Sequence, residues 1–174
     1  MKNVDLSKVY RLFYPNVPVI VAASYDNIVS AMPVVSLVSL SNKPSRVGFS
    51  SFTTHSTYKT ILSAHSFSIS WLDKRFVNAV ELLGLPRVTS VNDKLAFAGF
   101  EHHKGRTLDV PVIDSASAVL ECSLLNTYNF GDHDLIIGDV KAAYASEDFS
   151  EYWQFKDYHP ILYIGSAYGF RVFE

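Results

Sequence analysis

Hydrophobic and polar positions change period several times along this 174-residue chain, and each change marks an element. From Asp5 to Phe13, the residues Leu6, Val9, Leu12 and Phe13 recur at helical spacing. They predict a short amphipathic helix that Tyr14-Pro15 ends. Val17 to Tyr25 is rich in β-branched residues, Asp26-Asn27 supplies a turn, and strand-like sequence resumes from Ile28 to Ser41, the pattern of a hairpin. Pro33 cannot donate to a ladder, so it marks an edge, a bulge or a bend. Asn42-Lys43-Pro44-Ser45 is a turn, and Arg46 to Ser51 is a further strand. Tyr58, Ile61 and Leu62 then fall at i, i+3 and i+4 on a short helix. Ser66 to Leu72 alternates, with Phe67, Ile69 and Trp71 against Ser66, Ser68 and Ser70, which predicts a half-buried strand.

Asp73 is placed to N-cap a helix running to Leu83, with Phe76, Val77, Val80 and Leu83 on its buried face. Gly84 stands where a C′ glycine belongs and Pro86 follows. Thr89 to Phe100 reads as loop with a short helical turn, and Glu101 to Thr107 as exposed loop. Ser117 to Tyr128 is a long strand with Ala118, Leu120, Cys122 and Leu124 on one face and Glu121 and Ser123 on the other. That pattern makes Cys122 a small buried hydrophobe rather than a nucleophile. Asn129 to Asp134 is a turn, Leu135 to Tyr144 returns, and Ile161–Ile164 with Tyr168–Phe173 forms a last hairpin around Gly165-Ser166. About nine strands with a few short helices and no repeat or linker predict one mainly β domain over residues 1–174. Its expected form is an antiparallel, Greek-key-like β-barrel with short helices.

Composition narrows the function. The chain is 48% apolar and 18% charged, hence globular. Aromatics reach 14%, with twelve Phe and ten Tyr, which favours strands, an aromatic-walled pocket or a subunit interface; a homodimer is the commonest way to cover such a surface. Net charge is −2 without a basic run, which argues against nucleic acid as partner. No apolar stretch is long enough to span a membrane, and Lys2, Asp5, Lys8 and Arg11 interrupt the first residues, so no signal peptide is expected. A single cysteine excludes an internal disulfide and suits a reducing, cytoplasmic setting.

Chemistry gathers in Phe49-Ser50-Ser51-Phe52-Thr53-Thr54-His55-Ser56-Thr57-Tyr58-Lys59, where six of the eight positions from Ser50 to Thr57 carry a hydroxyl. Hydroxyls at the mouth of a helix, a lysine in its first turn and an adjacent histidine suit a phosphate, because helix N-termini offer unpaired N–H groups and partial positive charge. The competing reading is a Ser/Thr loop in which Ser56 or Thr57 merely caps the helix. Upstream, Ser36, Ser39 and Ser41 interleave with Leu37, Val38 and Leu40, a setting in which small polar groups face a flat heterocycle. His102-His103 with Asp109, and Asp132-His133-Asp134, offer metal-ligating types, but adjacent histidines on a polar loop ordinarily face solvent and the second group also reads as a hairpin turn, so no metal is expected. There is no G-x-S-x-G for serine hydrolysis and no G-x-G-x-x-G for a Rossmann nucleotide site.

Ser30-Ala31-Met32-Pro33 followed by Ser36 and Ser39, then the hydroxyl-rich loop, Glu121-Cys122, and Gly131-Asp132-His133 running through Gly138-Asp139-Val140, together resemble the flavin reductase-like family. The resemblance covers about Val17 to Phe170 and implies an FMN-binding split β-barrel. It implies contacts to the flavin ring from the strand end comprising Ser36, Ser39, Leu40 and Ser41, and to the ribityl phosphate from Ser50, Ser51, His55, Ser56, Thr57 and Lys59. His133 would lie at the nicotinamide or flavin edge, and the sites at a homodimer interface. The implied activity is NAD(P)H-dependent flavin reduction, NAD(P)H binding transiently and a monooxygenase being one possible electron acceptor. A flavin-binding electron-transfer protein and a non-enzymatic FMN-binding protein are the alternatives.

Overall fold

The computed structural model describes residues 1–85, 91–165 and 170–172. Strand β1 (Val19–Tyr25) is buried over its first five residues, on both faces of the sheet it occupies. Val19, Val21 and Ala23 join an inner core with Phe49, Ile61, Phe67, Ile69, Cys122 and Ile136. Ile20 and Ala22 face a second core with Leu72, Val80, Leu83, Leu95, Phe100, Ile113 and Ile161. A strand covered on both sides needs a continuous apolar run, which is what Val19-Ile20-Val21-Ala22-Ala23 provides.

Around β1 a seven-stranded antiparallel sheet assembles in the order β2-β1-β5-β8-β9-β4-β3. The members are β2 (Ile28–Val34), β3 (Val38–Asn42), β4 (Ser45–Phe52), β5 (Ser66–Trp71), β8 (Ala118–Asn129) and β9 (His133–Ala145). Two hairpins complete the strands, β6 (His102–Lys104) with β7 (Pro111–Ile113), and β10 (Ile161–Tyr163) with β11 (Phe170–Val172). The mainly β, antiparallel architecture is the expected one. The sheet, however, is not closed into a hydrogen-bonded barrel: its ends are β2 and β3. Edge β2 instead meets β4 through side chains, the Ser51 hydroxyl lying 3.8 Å from Met32 Sδ. Pro33 occupies the β2 edge, where its missing N–H breaks no ladder. Asp26 and Asn27 both take positive φ (50° and 61°), as a tight two-residue hairpin requires.

Helix α1 (Ser56–Ala64) packs its Ile61 and Tyr58 into the inner core, while α2 (Val77–Leu83) and α3 (Lys94–Phe97) cover the other face. The β6–β7 hairpin on that face explains two departures from the sequence reading. Strand β5 is not half-buried: Ser68 and Ser70 are 0% and 1% exposed, and the Ser68 hydroxyl donates to the Pro111 carbonyl of the overlying hairpin. His102 to Lys104 form a strand rather than loop, because β7 pairs with them. Asp73 caps a 3-10 turn (Lys74–Phe76), accepting from Arg75 N at 3.1 Å, and α2 follows. Gly84 ends α2 at φ −79°, so the left-handed C′ role expected for it is absent. Pro86 and the Ser166–Gly169 part of the last hairpin lie outside the described residues.

The N-terminal helix is a 3-10 helix, Leu6–Phe13, with no buried residue; Leu6 and Phe13 are 87% and 74% exposed. On β3, at the end of β8 and in the turn beyond it, Val38, Leu40, Tyr128 and Phe130 are exposed as well. No helix among the described residues is long and apolar enough to cross a membrane.

Glycines in the Gly131–Val140 stretch serve packing. Gly131 turns the β8–β9 hairpin at φ +105°, and a Cβ on Gly138 would come within 2.5 Å of the Phe67 ring. Asp139 pairs across the strands with Arg46 at 3.2 Å. The Glu121 carboxylate, fully buried, accepts from the amides of Arg106, Thr107 and Leu108 at 2.7, 2.9 and 2.7 Å and from the Tyr144 hydroxyl at 3.1 Å. Burial alone would raise its pKa, but those amide and hydroxyl donors together hold it below the ordinary carboxylate range. Glu121→Gln should cost about 2 kcal/mol in urea unfolding at neutral pH, because the amide returns one donor to a nest of donors. With the folded pKa below the unfolded value of 4.5, the ionic contribution is complete above that pH. It is lost as pH falls through the folded value, so the gap between wild type and variant should narrow in acid. A gap that is constant with pH would contradict the assignment.

Candidate functional site

At the start of α1 three hydroxyls and one ammonium converge. Ser30 Oγ of β2 lies 3.0 Å from Thr57 Oγ1 and 3.4 Å from Ser56 Oγ. Lys94 Nζ, from the first position of α3, donates to Ser56 Oγ at 2.8 Å. Ser30 and Thr57 are each 1% exposed and Lys94 only 6%. Among the described residues no carboxylate forms an ion pair with Lys94. Burial accordingly pushes its pKa down. An ammonium held away from water by neutral hydroxyls is an unbalanced charge, and an arriving anion relieves it. The helix contributes in the same sense. Its N-cap is His55, not Ser56 or Thr57 as the capping reading has it, and no side chain caps it, so the first-turn amides remain for an anion.

Beside this cluster runs a cleft of about 980 Å³, bounded by the β2–β3 connection, the end of β4, the 130–133 turn and the N-terminal 3-10 helix. Its volume is that of a small-molecule site. Ser36, Ser50, Ser51, His55 and His133 line it together, with Met32, Phe52, Tyr10 and Phe13. Ser36 holds the β2–β3 connection to β4: its hydroxyl accepts from Ser50 N at 3.0 Å. Ser51 Oγ lies 3.2 Å from His55 Nδ1, joining the cleft to the start of α1. His133 packs on Phe52, with ring centroids 3.8 Å apart, and its Nδ1 is 2.8 Å from Asp132. The turn that carries His133 is braced on α1, because the Tyr58 hydroxyl and Asn129 both donate to Asp134.

The remaining expected positions lie elsewhere. Ser39, Leu40 and Ser41 are on β3 and do not line the cleft; Leu40 folds over Gly48 beside Leu135 on the outer sheet face. Lys59 is an exposed residue of α1. His102 and His103 engage separate carboxylates, Asp93 at 2.8 Å and Asp114 at 2.6 Å, and Asp109 pairs with Lys104. The sequence reading passed over Lys94. Its one local signal is a lysine just after the capping Asp93 in an otherwise apolar turn; the contact with Ser56 spans 38 residues and has no pattern in sequence.

An antiparallel sheet thus carries an aromatic- and serine-lined cleft that Ser51 and His55 join to the buried cluster of Lys94, Ser30, Ser56 and Thr57. The chain belongs to the flavin reductase like domain family, whose pattern matches residues 10–169. It is 30% identical over 166 residues to an uncharacterized protein from Aeropyrum pernix, and spans 63% of that protein's length. An FMN-binding protein from Thermus thermophilus, solved with bound 1-cyclohex-2-enone, is 28% identical with a TM-score of 0.80, over 99% of this chain and 93% of that one. The flavoredoxin from Methanosarcina acetivorans shares the fold at 19% identity, TM-score 0.85, over 100% of this chain and 92% of its own.

Burial first, then the charges of Lys94 and His133, lower the His55 pKa below its ordinary 6.5. In an NMR pH titration His55 should therefore lose its proton at a lower pH than a free imidazole. Lys94→Met should raise that midpoint, since a like charge is removed while burial remains. A wild-type midpoint above 6.5 would contradict the arrangement.

Proposed function

We propose that the chain binds FMN, with the phosphate at the start of α1 and the ring in the adjoining cleft, and that it works as an NAD(P)H-dependent flavin reductase. The observation that carries the reading is Lys94, buried to 6% exposure beside three hydroxyls and an uncapped helix start with no carboxylate partner among the described residues. That donor set fits a phosphate dianion: it is cationic, hydroxyl-rich and aimed from three elements. Lys94, Ser30, Ser56 and Thr57 would hold the phosphate, Lys94 taking the part that the resemblance gives to Lys59. Ser36, Ser50 and Ser51 would face the ring along the cleft wall. Bound FMN would supply a ring able to take up a hydride from a reduced nicotinamide.

The protein's own contribution is placement. His133 stands at the cleft edge with Nδ1 committed to Asp132, which leaves Nε2 to meet a visiting ligand. Tyr10 and Phe13 offer aromatic surface on the opposite wall, against which a second flat ring can lie. The exposed apolar residues Val38, Leu40, Tyr128 and Phe130 support a homodimer, because a second copy would cover them.

FMN titrated into the purified chain should bind and lose fluorescence. Lys94→Met should weaken it about tenfold or more, the scale of a lost charge-assisted hydrogen bond. Anaerobic addition of NADH and of NADPH then tests the reaction. Rapid bleaching supports the reductase, a flavin that stays oxidised supports an electron carrier, and failure to bind FMN overturns the proposal.

A further inference from the structure

We infer that His102 and Asp93 are positioning residues that aim Lys94 at the phosphate, an inference that rests on the FMN reading above. Helix α3 has only four residues, too few to hold itself in water, so its place must be fixed from outside. Asp93 fixes it twice over. One carboxylate oxygen accepts from Ala96 N at 2.9 Å, which caps the turn, and the other lies 2.8 Å from His102 Nε2. A carboxylate only accepts, so His102 carries its hydrogen on Nε2. His102 itself is set on β6, in register with the buried Ile113 of β7, and so presents a fixed donor.

A second fastening ties the same turn to the hydroxyl cluster. Val29 N donates to Asn92 O at 2.7 Å, and Val29 bridges Asp93 in parallel register. The residues next along the two chains are Ser30 and Lys94, both within one hydrogen bond of the start of α1. The bridge therefore sets the spacing of cation and hydroxyl, and the His102–Asp93 contact keeps the carboxylate from swinging off the cap. Leu95, 0% exposed in the second core, anchors the far side of Lys94. The adjacent His103 takes no part, since it turns to Asp114.

The test compares FMN with riboflavin, which lacks the phosphate, by fluorescence quenching on wild type, His102→Ala, His102→Gln, Lys94→Met and the double variant His102→Ala/Lys94→Met. Wild type should bind FMN more tightly than riboflavin. His102→Ala should weaken FMN about fivefold, the scale of one hydrogen bond, and leave riboflavin unchanged. His102→Gln, whose amide can donate in place of Nε2, should restore FMN affinity. Adding His102→Ala to Lys94→Met should cost little more than Lys94→Met alone, because both act through one contact. Equal losses for both flavins, no loss at all, or a full fivefold on top of Lys94→Met would overturn the inference while leaving FMN binding intact. A wild type that binds the two flavins equally would instead overturn the phosphate site, and this inference with it.

Discussion

A lysine ammonium removed from water has to be balanced, and among the described residues Lys94 meets hydroxyls and no carboxylate. Lys94 reaches Ser56 at the opening of α1, next to Ser30 and Thr57, where the helix supplies further positive potential rather than relief. Such a cluster is tolerable in the folded protein, and under the proposed reading an anion with several acceptor oxygens completes it. The surrounding architecture can be read as the means of bringing these four groups to one point from three separate elements.

The sheet does most of that work. Strand β1 is covered on both faces, so β2 on one side and β5 on the other are fixed in register, and Ser30 is placed within reach of α1. Because the sheet stays open between β2 and β3, a cleft forms where β2 and β4 meet only through side chains. Closure by backbone hydrogen bonds would fill the space that the cleft occupies. The Tyr58–Asp134–Asn129 network then joins the turn bearing His133 to the helix bearing Ser56 and Thr57. The cleft and the hydroxyl cluster beside it thus share one support. Buried Glu121 acts at a distance from it, holding the 106–108 loop that joins β6 to β7.

Much of this was legible in the sequence where signals were local. The Asp26-Asn27 hairpin, the Asp73 cap, the long strands around Cys122 and the hydroxyl-rich approach to α1 all declare themselves within a few residues. What was illegible depended on elements far apart. The alternation in Ser66–Trp71 is a true strand signal, yet it cannot reveal that a hairpin more than forty residues later buries the serine face. His102 and His103 looked like exposed loop because three residues of strand leave no periodicity. Lys59, close in sequence to the hydroxyls, is exposed on α1, whereas Lys94 reaches Ser56 from a turn that the bridge between Val29 and Asp93 brings there. The family motif from Gly131 to Val140 proves largely a packing signature, with Gly138 making room for Phe67 and Asp139 paired to Arg46. Within it His133 lines the cleft and Asp134 beside it braces the turn.

The protonation state of the phosphate itself is the most direct report on the central interaction. A phosphate monoester loses its second proton near pH 6, about where free FMN does so. Phosphorus NMR of FMN bound to the chain, followed from pH 8 downward, would read that equilibrium in place. If the Lys94 ammonium and the start of α1 hold the dianion, the bound resonance stays that of the dianion well below the pH at which free FMN protonates. A bound phosphate that titrates together with the free one would contradict the account.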